Sequence, residues 1–379
     1  MITASDLNLI AMTDEEFPRA LRALRSGILS GVAPGAVLGV WLKNEPDSLR
    51  VAALGDRRLI PLALPMEVDT VFDLASVSKV FATATLAGIL VDRRWIRWDT
   101  TLRAIFPDYP HAEIEVRHLL AHTAGLPAWK PLWETLRGRF ASRALYEISI
   151  EERQKAMREL VFAVEPEVCI DERAVYSDLS FLLLGFLLEE VTGMSLDRAV
   201  NHLVWEPLGV RRAFYRHVDR DVDSGRMDRV AATEDSAWRG GLLQGQVHDD
   251  NCWAMGGYAG HAGAFADVRD VLQFARRLFD GFLSRETLSA MWTRVAKPSG
   301  CERTLGWDTP SGPNPAAKAF SASTVGHLGY TGTSLWIDPP AGIAVALLTN
   351  RVHPTRENDR IRALRPMVHE ALRRDLSKV

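Results

Sequence analysis

A serine and a lysine stand three residues apart in FDLASVSKVFATAT (residues 72–85), a stretch otherwise built largely of apolar and small residues. A serine hydroxyl is a weak nucleophile until a base takes its proton. Lysine can be that base only if its pKa falls from about 10.4 toward roughly 7 to 8. At i and i+3 of a helix, Ser76 and Lys79 share one face. A helix starting at Ser76 sets its positive end against the ammonium, and burial among Val80, Phe81 and Ala82 presses the same way. The first-turn N–H groups, beginning with that of Ser76, offer an oxyanion donor. Alone the pair is weak, because S-x-x-K arises by chance about once in a chain of this length. An ordinary helix start with a lysine reaching for water is spelled the same way.

A second polar interruption is VYSDLSFLLLG, where Tyr176 and Asp178 precede an apolar helix at 179–191. Asp178 is placed as its N-cap, and a tyrosine beside a charged group can pass a proton to a leaving group. The plain alternative is a cap and a packed ring. A third is GHLGYTGT (residues 326–333), whose glycines would let a substrate approach an edge strand closely. In VHDDNCWAMGGYAGHAG (residues 247–263), His248, Asp249, Asp250 and His261 match no strong metal spacing. Hydrogen bonds that order a loop are the expectation there, with no metal. His118 and His122 are expected to be structural. Of eleven tryptophans, Trp129, Trp133, Trp253, Trp307 and Trp336 are candidates for an aromatic acyl pocket or, as readily, for plain packing between lobes.

The elements that must hold these groups follow from periodicity. Phe17, Leu21, Leu24 and Ile28 predict a helix over 14–29, and AVLGVWLK and LRVAALG predict two strands joined by NEPDS. A helix apolar nearly all round runs from Ser76 to about Val91. Helical patterns dominate to about residue 230, with VRHLLAHTAGLP a short helix closed by Gly125 and Pro127. Two more helices follow, DVRDVLQFARRLF and RETLSAMWTRV. Two adjacent strands, TVGHLGYTGTSLWIDP and GIAVALLTNR, then precede a last helix over 359–374. Strands at both chain ends with helices between predict an α+β fold, one antiparallel sheet flanked by helices plus a mostly helical lobe. The expected division is 1–75 with 255–379 as the sheet lobe and 76–254 as the helical lobe, with the site in the cleft between.

Composition narrows the partners. Of 379 residues, 47% are hydrophobic and 25% charged, as in an ordinary globular protein, and the formal net charge of -3 leaves no basic excess for nucleic acid or an anionic membrane. Three isolated cysteines suit a reducing compartment or indifference to redox. The N-terminus lacks a basic and then apolar leader, and the apolar run 179–191 is too short to span a bilayer. The expectation is a cytoplasmic protein, or a periplasmic or secreted one if the chain is a processed form. Oligomeric state is not legible.

Taken together, S-x-x-K opening a buried helix, Y-x-D at Tyr176–Asp178 and H-x-G at His327–Gly329 resemble the class C β-lactamase superfamily. That superfamily also holds low-molecular-mass penicillin-binding proteins, D-amino-acid peptidases and esterases of β-lactamase/transpeptidase fold. VRHLLAHTAGLP and WIDPPAGIAVALLTN are similar to its linking segment and closing strands, so the resemblance covers roughly 15–375. It implies Ser76 as nucleophile, Lys79 as base and Tyr176 as the group that shares their proton transfer. It also implies an oxyanion hole from the Ser76 and Tyr330 N–H groups, and Asp178, His327, Gly329 and Thr331 lining the substrate. The product of the first step is an acyl-serine; no metal or organic cofactor is implied. Asp178 replaces the lactamase pattern's Asn and only accepts hydrogen bonds when ionised. His327 replaces its Lys and removes a permanent charge. The expected substrate is therefore a small ester, with D-amino-acid (DD-carboxypeptidase-type) cleavage or acyl transfer as alternatives and β-lactamase activity weak. A non-catalytic penicillin-binding sensor is the rival from another class.

Overall fold

The computed structural model describes residues 7–219, 227–311 and 319–377. Its central sheet runs in the order Asn8–Ala11, Ser48–Arg58, Gly35–Leu42, Ile343–Thr349, Ser334–Asp338, Val325–Leu328, with Leu64–Pro65 paired to Ser48–Arg58. Both chain ends therefore build one sheet, as an α+β reading requires. The sheet is mixed and not purely antiparallel, because Asn8–Ala11 pairs in parallel with Ser48–Val51. That strand is four residues long, too short for alternation to announce it. The long C-terminal stretch expected as one strand, TVGHLGYTGTSLWIDP, folds as two, Val325–Leu328 and Ser334–Asp338, turned at Gly329–Thr333.

Period-two alternation divides the sheet's faces. Ala36, Leu38 and Val40 face a cluster completed by Leu21 and Leu24 of helix Pro18–Leu29 and by Leu364, Val368 and Leu372 of helix Ile361–Leu376. Val37 and Trp41 join the larger cluster on the other face, with Val268 and Leu272 of helix Val268–Phe279. That helix crosses close over Gly39, where a Cβ would come within 2.4 Å of Val268. The sheet is thus covered by helices on both faces, and Val325–Leu328 lies at its edge.

The helix predicted from Ser76 is built in three parts. A 3₁₀ turn spans Ala75–Val77, a π-helical stretch spans Lys79–Ala84, and an α-helix spans Thr85–Asp92. π-Helical turns are uncommon and cluster at functional sites. By length and composition Ala75–Asp92 could cross a membrane, but 83% of it is buried in the protein and it is the core helix of the larger cluster. Helix Asp178–Thr192 packs against it and is apolar on all sides for the same reason.

Candidate active site

The chain enters the site through a tethered, strained turn. Ala75 has φ +47°, a left-handed conformation that is unfavourable for a residue with a Cβ. Asp73 holds it by accepting from the Ala75 N–H at 2.8 Å. From the sheet edge, the Thr331 hydroxyl donates to Asp73 O at 2.7 Å and the Thr333 hydroxyl to Leu74 O at 2.9 Å. These bonds seat Ser76 beside strand Val325–Leu328. Gly329 faces the same segment, and a Cβ there would lie 2.5 Å from Leu74 O.

Lys79 lies behind Ser76, with a fully buried side chain. Its Nζ donates to Ser76 Oγ at 3.1 Å, to Asp178 Oδ1 at 2.7 Å and to His261 O at 3.2 Å. Three acceptors match the three protons of an ammonium. Burial pushes Lys79 down, but the charge and hydrogen bond of Asp178, together with Tyr176, outweigh it and hold the amine above its ordinary value. This corrects the expectation of a lysine depressed by burial and the helix end. A carboxylate from 99 residues away in sequence reverses the sign.

Asp178 is also not the N-cap. Ser177 caps the helix, its hydroxyl accepting from Ser180 N at 3.2 Å, and Asp178 is the first helical residue. That position turns its carboxylate onto Lys79 while it still lines the cleft. Tyr176 interacts with both Ser76 and Lys79, and burial holds its phenol above the ordinary value despite the ammonium 4.9 Å from its ring centroid. The His122 ring lies 4.7 Å from that of Tyr176, and His122 Nδ1 accepts from Ser177 N at 3.0 Å. Burial, with Arg303 and Lys79 nearby, keeps His122 well below its usual range, so it is neutral. It is structural, as expected, and what it structures is the Tyr176 segment.

The cleft has a volume of about 710 Å³ and is lined by Ser76, Tyr176, Asp178, His327, Gly329 and Tyr330, among others. The N–H groups of Ser76 and Tyr330 donate to no other group among the described residues, which leaves both open to an oxyanion. His327 is buried with Nδ1 2.9 Å from Leu328 O, so Nδ1 carries the proton and Nε2 is an acceptor. Burial and then the Lys79 charge push it down to about 3, so it offers no cation. Thr331 does not line the cleft; its hydroxyl is committed to Asp73 O, which corrects its assignment as a substrate contact. Thr331→Val is expected to cost about 1–3 kcal/mol by stranding that buried carbonyl, read as a lower urea midpoint.

The 247–263 segment behaves as a loop-ordering network. His261 Nε2 pairs with Asp249 at 2.8 Å, His248 Nε2 with Glu234 at 3.2 Å, and Asp250 with Arg239 and Arg356. Asp249 also caps helix Asp250–Ala254. Among the described residues, no group of three or more His, Cys, Asp or Glu could hold a metal ion. Of the tryptophans, Trp307 and Trp336 are core residues, while Trp133 and Trp253 pack around Trp238, with Trp133–Trp238 stacked at 4.1 Å. Trp129 alone of the five lines the cleft, 49% exposed. Trp129→Ala is expected to raise KM for long-chain acyl esters by roughly tenfold, from about 1–2 kcal/mol of lost apolar burial, and to leave acetate esters nearly unchanged. Arg303, placed over Tyr176 at 5.3 Å and paired with Asp308 at 3.2 Å, was not singled out from sequence.

A hydroxyl held against a buried amine and a phenol, at the junction of a sheet edge and a helical lobe, is the architecture of an active-serine fold. The chain belongs to the Beta-lactamase family, whose sequence model matches residues 17–366. It is similar to "Putative D-alanyl-D-alanine carboxypeptidase" of Salmonella agona (strain SL483), 28% identical and covering 85% of this chain and 83% of that one. Among solved structures it resembles the simvastatin synthase LovD of Aspergillus terreus (LovD6 mutant). The TM-score is 0.72 at 19% identity, with 96% of each chain covered. It also resembles EstCE1, described as a hydrolase with promiscuous acyltransferase activity. There the TM-score is 0.72 at 23% identity, covering 95% of this chain and 99% of that one.

Proposed function

We propose that this serine hydrolase acts through an acyl-Ser76 intermediate, with a small carboxylic ester as its substrate. The observation that carries the reading is the Lys79 amine bridging Ser76 Oγ at 3.1 Å and Asp178 Oδ1 at 2.7 Å at the wall of the cleft. In the resting site Lys79 is cationic, so it cannot take the serine proton directly. The short contact to Asp178 supplies the route: Lys79 passes a proton to the carboxylate, and the neutral amine then accepts the proton of Ser76 as Oγ attacks the carbonyl carbon. Expulsion of water by the substrate favours this transfer, because a neutral pair needs less solvation than an ion pair. The carbonyl oxygen becomes an oxyanion between the Ser76 and Tyr330 N–H groups. Tyr176, protonated and adjacent to both, donates to the leaving oxygen and recovers the proton through Lys79. Water then repeats the sequence on the acyl-serine.

The ester preference rests on charge. At the strand edge a carboxylate-bearing penicillin or D-alanyl terminus would meet neutral His327, whereas an uncharged ester needs no cation there. The arginines that also line the cleft, Arg303, Arg351, Arg356, Arg362 and Arg365, are the cations left to a carboxylate and favour the second reading below. The relatives named as carboxypeptidases support D-amino-acid peptide cleavage as the second reading. Comparing kcat/KM for p-nitrophenyl butyrate, a D-alanyl-D-alanine peptide and a penicillin decides between them. The ester is expected to lead; a peptide that outruns it would replace the first reading by the second.

A further inference from the structure

Two buried arginines grip the turn that carries the Tyr330 N–H, and neither is paired with an acid among the described residues. Arg365, on helix Ile361–Leu376, donates from Nη2 to Gly329 O at 2.6 Å and to Thr333 O at 2.8 Å. Arg351 donates from Nε to Tyr330 O at 2.7 Å, from Nη1 to the carbonyls of Arg356 and Asn358, and lies 4.3 Å from the Tyr330 ring centroid. Burial, with Arg351 adding its charge, pushes Arg365 down to about 9. Its Nε is buried without a partner. A buried cation satisfied only by carbonyl oxygens is a costly way to hold a turn that Gly329 N–H to Thr333 O (2.7 Å) and Gly332 N–H to Gly329 O (3.1 Å) already close.

The placement has a chemical consequence. Gly329 C=O and Tyr330 N–H are the two ends of one planar trans peptide, so the direction of one sets the opposite direction of the other. A guanidinium on the oxygen therefore aims the N–H into the cleft and, by drawing electron density to the oxygen, makes it a stronger donor. The Tyr330 side chain cannot supply this hold, since it is 53% exposed and stacked on His248.

We propose that Arg365 is a positioning residue that orients and polarises the Tyr330 N–H for oxyanion stabilisation. The inference rests on the acyl-serine reading above. It separates transition-state from ground-state binding, because the oxyanion forms only after attack.

The test compares wild type, Arg365→Met, Arg365→Lys and Ser76→Ala. It measures kcat and KM for p-nitrophenyl butyrate and affinity for butylboronic acid, whose tetrahedral adduct mimics the oxyanion. Arg365→Met is expected to lose about 10- to 100-fold in kcat and a similar factor in boronate affinity, with KM within about twofold. Arg365→Lys, which keeps a cation able to reach a carbonyl, is expected to recover part of both and serves as the comparison if the Met variant does not fold. A folded Arg365 variant with wild-type kcat and boronate affinity would overturn the proposal alone, as would a KM that rises with kcat unchanged. A wild type that binds boronate no better than Ser76→Ala would overturn the acyl-serine reading and this proposal with it.

Discussion

Replacing Ser76 by alanine is expected to lower kcat for p-nitrophenyl butyrate by at least about 10⁴-fold, and to remove any burst of p-nitrophenol. The substitution removes one oxygen. Lys79 keeps its bonds to Asp178 Oδ1 and His261 O, so the buried ammonium stays satisfied and the fold should be retained. Residual binding by the two N–H donors and the cleft walls would leave KM nearly unchanged. Stopped-flow traces of the two proteins under identical conditions check this. A variant that turns over within about tenfold of wild type would place the nucleophile elsewhere.

Asp178→Asn carries the second large effect, and its sign follows from the geometry. The carboxylate is what holds Lys79 above its ordinary value against burial. With an amide in its place, burial governs, and the folded-state pKa of Lys79 falls below the unfolded one. The amide also cannot receive the Lys79 proton. At pH 6 the variant should therefore lose about 100-fold or more in kcat/KM, then regain activity as pH rises through the lowered Lys79 value. Wild type, which moves that proton within the Lys79–Asp178 pair, should show no such ascending limb. Stability must follow the same linkage. In wild type the raised pKa of Lys79 contributes stability fully below the unfolded lysine value, which is lost as pH rises through the folded one. In the variant the sign inverts: about 3–5 kcal/mol is lost while Lys79 stays charged and unpaired, and stability rises with pH between the lowered folded pKa and the unfolded one. A pH–rate profile indistinguishable from wild type would show that Asp178 takes no proton.

The parts of this site that were legible in the sequence are those encoded locally. Ser76 and Lys79 are one turn apart in an apolar context, and Tyr176 lies just before an apolar helix; spacing and setting marked them as candidates, and their roles came from the ordered set of three motifs that resembles the class C β-lactamase superfamily. The sheet built from both chain ends was legible for the same reason, through unbroken apolar runs at Gly35–Leu42 and Ile343–Thr349 bounded by turn residues. What escaped depends on contacts across the fold. The pairing of Asp178 with Lys79, the commitment of Thr331 to Asp73 O and the reach of Arg365 to Gly329 O join residues 99, 258 and 36 positions apart. No periodicity records where such side chains end. A partial signal existed for His122, in a segment whose Gly125 and Pro127 announce a turn. The turn at His122 itself, with φ +60°, brings its ring against Tyr176.

If Ser76 is the nucleophile, turnover forms a covalent bond at its Oγ, and that bond can be trapped. Acid quenching of wild type mixed with excess p-nitrophenyl butyrate, followed by intact mass and peptide mapping, should find one added butyryl group. It should lie on the peptide containing Ser76 and be absent from Ser76→Ala. Ester turnover with no adduct on a millisecond quench, or with an adduct on another residue that persists in Ser76→Ala, would contradict the account.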